Sequence, residues 1–174
     1  MSNRNDSTST GDDNSLSLHF LEFCAKVRNN DPSILPEPDM PFQIHPSLSE
    51  KESIELANAL MQNKNVTYLK FYSDSYTKGS AEAMAKYVRT SKSLQRIGWR
   101  RYERTREDRE QMLCCFLPAI QESTSLKGLH IDLHLIGEPS NLAFENMLTH
   151  TQSLRSLSLS FPVDLPGEEI AMAA

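Results

Sequence analysis

An apolar triplet recurs four times along this chain, and no other feature restricts its folding as strongly. The triplets are Val66/Leu69/Phe71, Leu94/Ile97/Trp99, Leu126/Leu129/Ile131 and Leu154/Leu157/Leu159, and the steps between their first members are 28, 32 and 28 residues. The upstream residues fall into the same register. Ten before each first member stand Leu56, Met84, Phe116 and Phe144; seven before it stand Ala59, Tyr87, Ala119 and Met147; six before it stand Leu60, Val88, Ile120 and Leu148. Apolar positions three and four apart trace one face of a helix. A small polar residue, Asn65, Ser93, Ser125 or Ser153, precedes each triplet, as a chain leaving a helix for a strand favours.

The triplets themselves alternate. Leu69 and Phe71, Ile97 and Trp99, Leu129, Ile131 and Leu133, and Leu157, Leu159 and Phe161 are each separated by one other residue. In a strand, alternate side chains point to opposite faces. With the apolar set turned toward the helices, Tyr68, Lys70, Tyr72, Arg96, Gly98, Arg100, Gly128, His130, Asp132, His134, Ser156, Ser158 and Ser160 must face the other way. Helix-then-strand units running in one direction require a parallel sheet with right-handed crossovers.

A period near 28 residues marks a solenoid. On the segments VTYLKF, LQRIGW, LKGLHI and LRSLSL, over roughly residues 47–174, the chain resembles the ribonuclease-inhibitor-like class of leucine-rich repeats. The residues that follow the four strands, Asp74, Tyr102, His134 and Pro162, are not the Asn or Cys usual there in that class. The resemblance implies an α/β leucine-rich-repeat solenoid of about four repeats, with a curved parallel sheet on the concave side and helices on the convex side. Such a form presents an extended face suited to binding and does not itself supply catalytic groups. The expected function is therefore a non-enzymatic protein–protein interaction module. The alternative is a fragment of a larger multidomain regulatory or sensor receptor, whose repeats mainly pack against other domains.

Outside the repeats, residues 1–15 are polar and expected to be a disordered tail. Residues 16–46 carry a helical pattern, Leu18, Leu21, Phe23, Cys24 and Val27, and then a run of prolines; they read as a capping helix and its connection. Phe42-Gln43-Ile44, between Pro41 and Pro46, suits a degenerate edge strand. Ser49 and Glu52 have the spacing of a capping box at the start of the next helix. At the other end, Ile170, Met172 and Ala173 take the places of Ile54, Leu56 and Ala57, so the chain is expected to stop inside a further repeat. That would leave the strand Leu154–Phe161 as an open edge through which copies could self-associate.

Composition narrows the partners. A net charge of −5 gives no reason to expect nucleic acid. No stretch approaches the ~20 apolar residues of a spanning helix, so no membrane partner is expected. Cys24, Cys114 and Cys115 form no disulfide framework, which points to a reducing, cytoplasmic location. The sequon at Asn65 includes Val66, a packed triplet residue, and is read as chance.

Few residues offer chemistry. His130-x-Asp132-x-His134 places three metal-ligand types on one face of a strand, but closed zinc sites take four protein ligands, so no metal and no cofactor is expected. The 32-residue unit carries five arginines in Arg100–Glu110 against four acids, and reads as a solvated helix start. Cys114-Cys115 falls within a helix, with at least one thiol buried and inert. Trp99 is inward, while Tyr68 and Tyr72 lie outward beside Lys70 and Arg96, the composition of interface anchors. The expected partner-binding set is Tyr68, Lys70, Tyr72, Arg96, Arg100, His130, Asp132 and His134.

Overall fold

A computed structural model describes residues 16–37, 40–44, 48–72, 77–100, 106–132 and 138–160. Helices and strands alternate along the chain as α1 (Leu18–Arg28), β1 (Phe42–Gln43), α2 (Glu50–Gln62), β2 (Tyr68–Tyr72), α3 (Lys78–Thr90), β3 (Arg96–Arg100), α4 (Arg106–Glu122), β4 (Gly128–Asp132), α5 (Glu138–His150) and β5 (Ser156–Ser160). The strands form one parallel sheet in the order β1-β2-β3-β4-β5, and each helix packs against the next in chain order. The fold is thus an α/β domain with a five-stranded parallel sheet and a helical layer.

The helices begin and end as their sequences dictate. Ser49 accepts a hydrogen bond from the Glu52 backbone N–H, and Glu52 Oε2 accepts one from the Ser49 N–H at 2.8 Å, completing the capping box. Ser17 and Thr77 cap α1 and α3 in the same way, each accepting from the backbone three residues on. At the end of α1, Asn30 takes a φ of 59°. The Asn30 and Asp31 N–H groups close onto the Val27 and Lys26 carbonyls, the left-handed finish that Asn tolerates better than most residues. The Asn30 Oδ1 then accepts the Lys64 N–H at 2.7 Å, tying this end to the next unit.

The register is uniform. Leu69 pairs with Ile97, Ile97 with Leu129 and Leu129 with Leu157; Phe71 pairs with Trp99, Trp99 with Ile131 and Ile131 with Leu159. These inward residues are buried through β4, together with Leu56, Leu60, Met84, Val88, Phe116 and Ile120 from the helices. At the centre, the Trp99 ring meets Phe116 edge-on at 4.7 Å, and Phe71 lies 5.5 Å from Trp99 and 5.1 Å from Phe116. Edge-to-face contacts of this kind add to the apolar burial. On β5 the same positions are less covered: Leu157 and Leu159 are each 37% exposed, and Leu148 of α5 is 43% exposed.

A polar ladder runs along the helix-to-strand turns. Asn63 donates from Nδ2 to the Val27 carbonyl at 2.6 Å, and its Oδ1 accepts the N–H groups of Asn65 and Val66, both at 2.8 Å. Ser91 and Ser123 repeat the role, accepting the N–H groups of Leu94 and Leu126. Ser125 and Ser153 donate to the carbonyls of Ser91 and Ser123, one unit back, at 2.7 and 2.6 Å. Buried turn backbone must find partners, and small polar residues stacked at a fixed step supply them.

Candidate functional site

The open face of the sheet is where the outward strand residues meet. Tyr68 pairs with Arg96 and Arg96 with Gly128, then Gly128 with Ser156; a second row runs Lys70, Gly98, His130 and Ser158. Tyr72 and Arg100 are paired in backbone register one step further along β2 and β3. Asp132 ends β4 opposite Ser160. His134 lies outside the described residues, as do residues 1–15, the residues after each long strand (Asp74, Tyr102 and Pro162 among them), and the segment 161–174 on which the expected unfinished repeat falls.

The sheet brings two of the expected residues into direct contact. The guanidinium carbon of Arg96 sits 5.1 Å from the centre of the Tyr68 ring. A cation over an aromatic face at this distance is worth about 0.5–1 kcal/mol at an exposed site. Two glycines leave room for the arrangement. A Cβ on Gly98 would come within 3.0 Å of the Tyr68 hydroxyl, and one on Gly128 within 3.2 Å of Arg96 Cγ and 3.1 Å of Ser156 Oγ. Tyr68 leans across Gly98, and Arg96 leans across Gly128. These glycines were visible in the sequence as outward strand positions, but their role depends on neighbours in other strands.

His130 stands in the second row, with its Nδ1 3.0 Å from Ser158 Oγ on β5. Gly98 separates it from Lys70 in the register. Among the described residues, no three His, Cys, Asp or Glu side chains converge where an ion could sit. Cys114 is exposed on α4, whereas Cys115 is half-buried, and burial, followed by the nearby Glu82, raises the Cys115 thiol above its ordinary range. Raised thiols are poor nucleophiles at neutral pH.

A cleft of about 540 Å³ lies at the turn edge, lined in part by Glu122, Lys127, His150 and Arg155. Two of these groups have local roles: Arg155 donates to the Gln152 and Leu154 carbonyls, and the His150 ring contacts the Asn146 carbonyl in the last turn of α5. Among the described residues, no helix is long and apolar enough to cross a membrane.

No protein-family model and no curated protein sequence matches the chain. Solved structures do. Leiomodin-1 actin-binding site 2 aligns with a TM-score of 0.59 at 18% identity, over 86% of this chain and 83% of that one. The tropomodulin C-terminal domain of Caenorhabditis elegans aligns with a TM-score of 0.54 at 15% identity, over 83% of this chain and 84% of that one. These matches support the α/β fold. They also correct the resemblance drawn from the triplets: the neighbours are tropomodulin and leiomodin domains, so the ribonuclease-inhibitor-like leucine-rich-repeat solenoid does not stand. The physical reason is that the matching residues were all packing positions. Any helix laid on a parallel strand needs them, and they do not discriminate among families built from that unit.

Proposed function

We propose that this chain is a non-catalytic protein-binding domain whose contact surface is the open sheet face around Tyr68, Lys70, Arg96 and His130. The observation that carries this reading is the Tyr68–Arg96 pair, half-exposed and already seated over Gly98 and Gly128. Tyr and Arg are the residues most enriched among interface anchors, and side chains held before binding lose less entropy when a partner arrives. Tyr72, Arg100 and Asp132 follow in the strand register, and they complete the proposed set with His134, which lies outside the described residues. A location inside the cell suits the three free thiols.

Actin is the first partner to test, because the leiomodin-1 structure that shares this fold is described as an actin-binding site. Cosedimentation with filaments, and anisotropy titration with monomers, should detect binding by the full chain. Arg96→Glu should weaken it about ten-fold, equivalent to roughly 1.4 kcal/mol, while leaving the thermal midpoint within about 2 °C. Absence of binding to either form of actin removes that partner. Binding of any partner that survives Arg96→Glu and Lys70→Glu together removes the face.

A further inference from the structure

The sheet has two edges, and they are built differently. At one edge β1 is two residues long and follows Pro41, so it offers little backbone to a newcomer. At the other edge β5 is five residues long, Ser156–Ser160, without charge or proline. Natural sheets normally blunt such an edge with a lysine, a proline or a bulge.

The direction of the free groups on β5 follows from its bond to β4. The Ser156 N–H donates to the Lys127 carbonyl at 3.0 Å. Since backbone groups alternate sides along a strand, Ser158 and Ser160 also face β4, while the N–H and C=O groups of Leu157 and Leu159 point away from it. Among the described residues, no strand lies on that side. The side chains tell the same story. Leu157 and Leu159 are 37% exposed, where their register partners Leu129 and Ile131 are 2% and 0% exposed. Leu148 is 43% exposed, where Leu60, Val88 and Ile120, at the same place in earlier helices, are 0% exposed.

We propose that β5 is a self-association edge, on which the strand of a second copy of this chain pairs antiparallel across a two-fold axis through Ser158. The occupant is argued from the sequence of the strand. Ser-Leu-Ser-Leu-Ser reads the same in both directions, so antiparallel pairing centred on Ser158 sets Leu157 opposite the other copy's Leu159, and Leu159 opposite its Leu157. The outward N–H and C=O groups of each leucine pair then exchange hydrogen bonds. All four leucines fall on the helix side, and all serines fall on the open face. A slip of one residue would place leucine opposite serine and turn one copy's apolar set to the wrong face. The contact is isologous, and because the β1 edge is too short to repeat it, assembly closes at a dimer and does not continue as a fibre. The product is one ten-stranded sheet carrying two open faces.

The test uses the full chain with the exposed Cys114 replaced by serine. In a Ser158→Cys variant, the two introduced thiols face each other in a non-hydrogen-bonded pair with Cβ atoms about 4.5–5.5 Å apart, close enough for a disulfide with a small adjustment. In a Ser156→Cys variant, the two copies of the residue lie four strand positions apart, about 13 Å, and cannot join. Mild oxidation should cross-link Ser158→Cys and leave Ser156→Cys monomeric on denaturing gels. Both positions are exposed on the open face, and matching circular dichroism confirms that both variants fold. Sedimentation equilibrium of the unmodified chain should fit a monomer–dimer scheme, with Leu159→Lys weakening the dimer at least ten-fold. A monomer at all concentrations would overturn the proposal, whether the edge is then covered by residues 161–174 or by a different protein. Equal cross-linking of the two cysteine variants would overturn the register.

Discussion

The Arg96 guanidinium lies over the Tyr68 ring, 5.1 Å from its centre, with the two residues paired directly across β2 and β3. A Cβ on Gly98 would lie 3.0 Å from the Tyr68 hydroxyl and one on Gly128 3.2 Å from Arg96 Cγ, so a side chain at either place would oblige the pair to give by a few tenths of an ångström. Gly98 and Gly128, which contribute no atoms to the contact, thus leave the room in which the tyrosine and arginine lie.

Substituting Gly98 with valine tests that arrangement. The new Cβ would sit 3.0 Å from the Tyr68 hydroxyl and 3.4 Å from Cε2, so the ring must give by a few tenths of an ångström, and the valine methyls add to the crowding. Valine favours a strand over glycine by up to about 1 kcal/mol, so stability should hold or rise slightly. Partner affinity should fall by about ten-fold or more. Parallel measurement of the thermal midpoint and of binding separates the two effects, and retained affinity would show that the seated tyrosine is not needed.

Phe116→Ala should be among the most damaging single changes in the described core. The ring is fully buried and makes edge contacts with both Phe71 and Trp99. Large aromatic-to-alanine truncations cost about 3–5 kcal/mol. In a chain of this size that lowers the thermal midpoint by about 10 °C, measurable by calorimetry.

Two rungs of the turn ladder should differ in cost. Asn63 makes three hydrogen bonds, one to the preceding unit and two within its own turn. The Ser123 side chain accepts a single backbone N–H, from Leu126 at 3.3 Å. At about 1–3 kcal/mol for each buried group left unpaired, Asn63→Ala should destabilise more than Ser123→Ala. Urea midpoints compared at equal slope would show the order.

Cys24 gives the fold a sensitivity to alkali. Burial, and then the Glu55 carboxylate, push its thiol up from 9.0 to about 11, against a smaller pull from Arg28. A thiol that ionises more readily in the unfolded chain stabilises the fold fully below pH 9, and that contribution is lost as pH rises through 11. Two pH units correspond to about 3 kcal/mol. Between those limits the urea midpoint of the native chain should fall faster than that of Cys24→Ala. At neutral pH a thiol reagent should label exposed Cys114 first, half-buried Cys115 more slowly, and Cys24 only on unfolding.

Most of the architecture was legible because packing obeys period. The spacing of Leu56 and Leu60 marked a helix face, the alternation of Leu69 and Phe71 marked a strand face, and Ser49 with Glu52 marked a helix start. All are local rules. The likeness to the tropomodulin and leiomodin domains was not legible, because leucines that satisfy packing carry no record of which domain they pack. Nor was the ladder: Ser91 and Ser123 look like ordinary turn serines until the carbonyls one unit away are in view. In the candidate site, Tyr68 and Arg96 stood out by residue type, but their contact required the lateral register of two strands 28 residues apart, which no local pattern reports.

Trp99 is the one tryptophan in the chain, fully buried on β3 between Gly98 on one side and Arg100 on the other. Its indole therefore serves as a single optical gauge fixed behind the open face. In the folded chain its emission should be blue-shifted and shielded from aqueous quenchers such as iodide. Denaturant should move the emission to longer wavelength in one step when the central layer opens. A ligand gripping Tyr68 and Arg96 would act on the strands on which the indole is mounted, so its arrival could be followed by light, with no label attached.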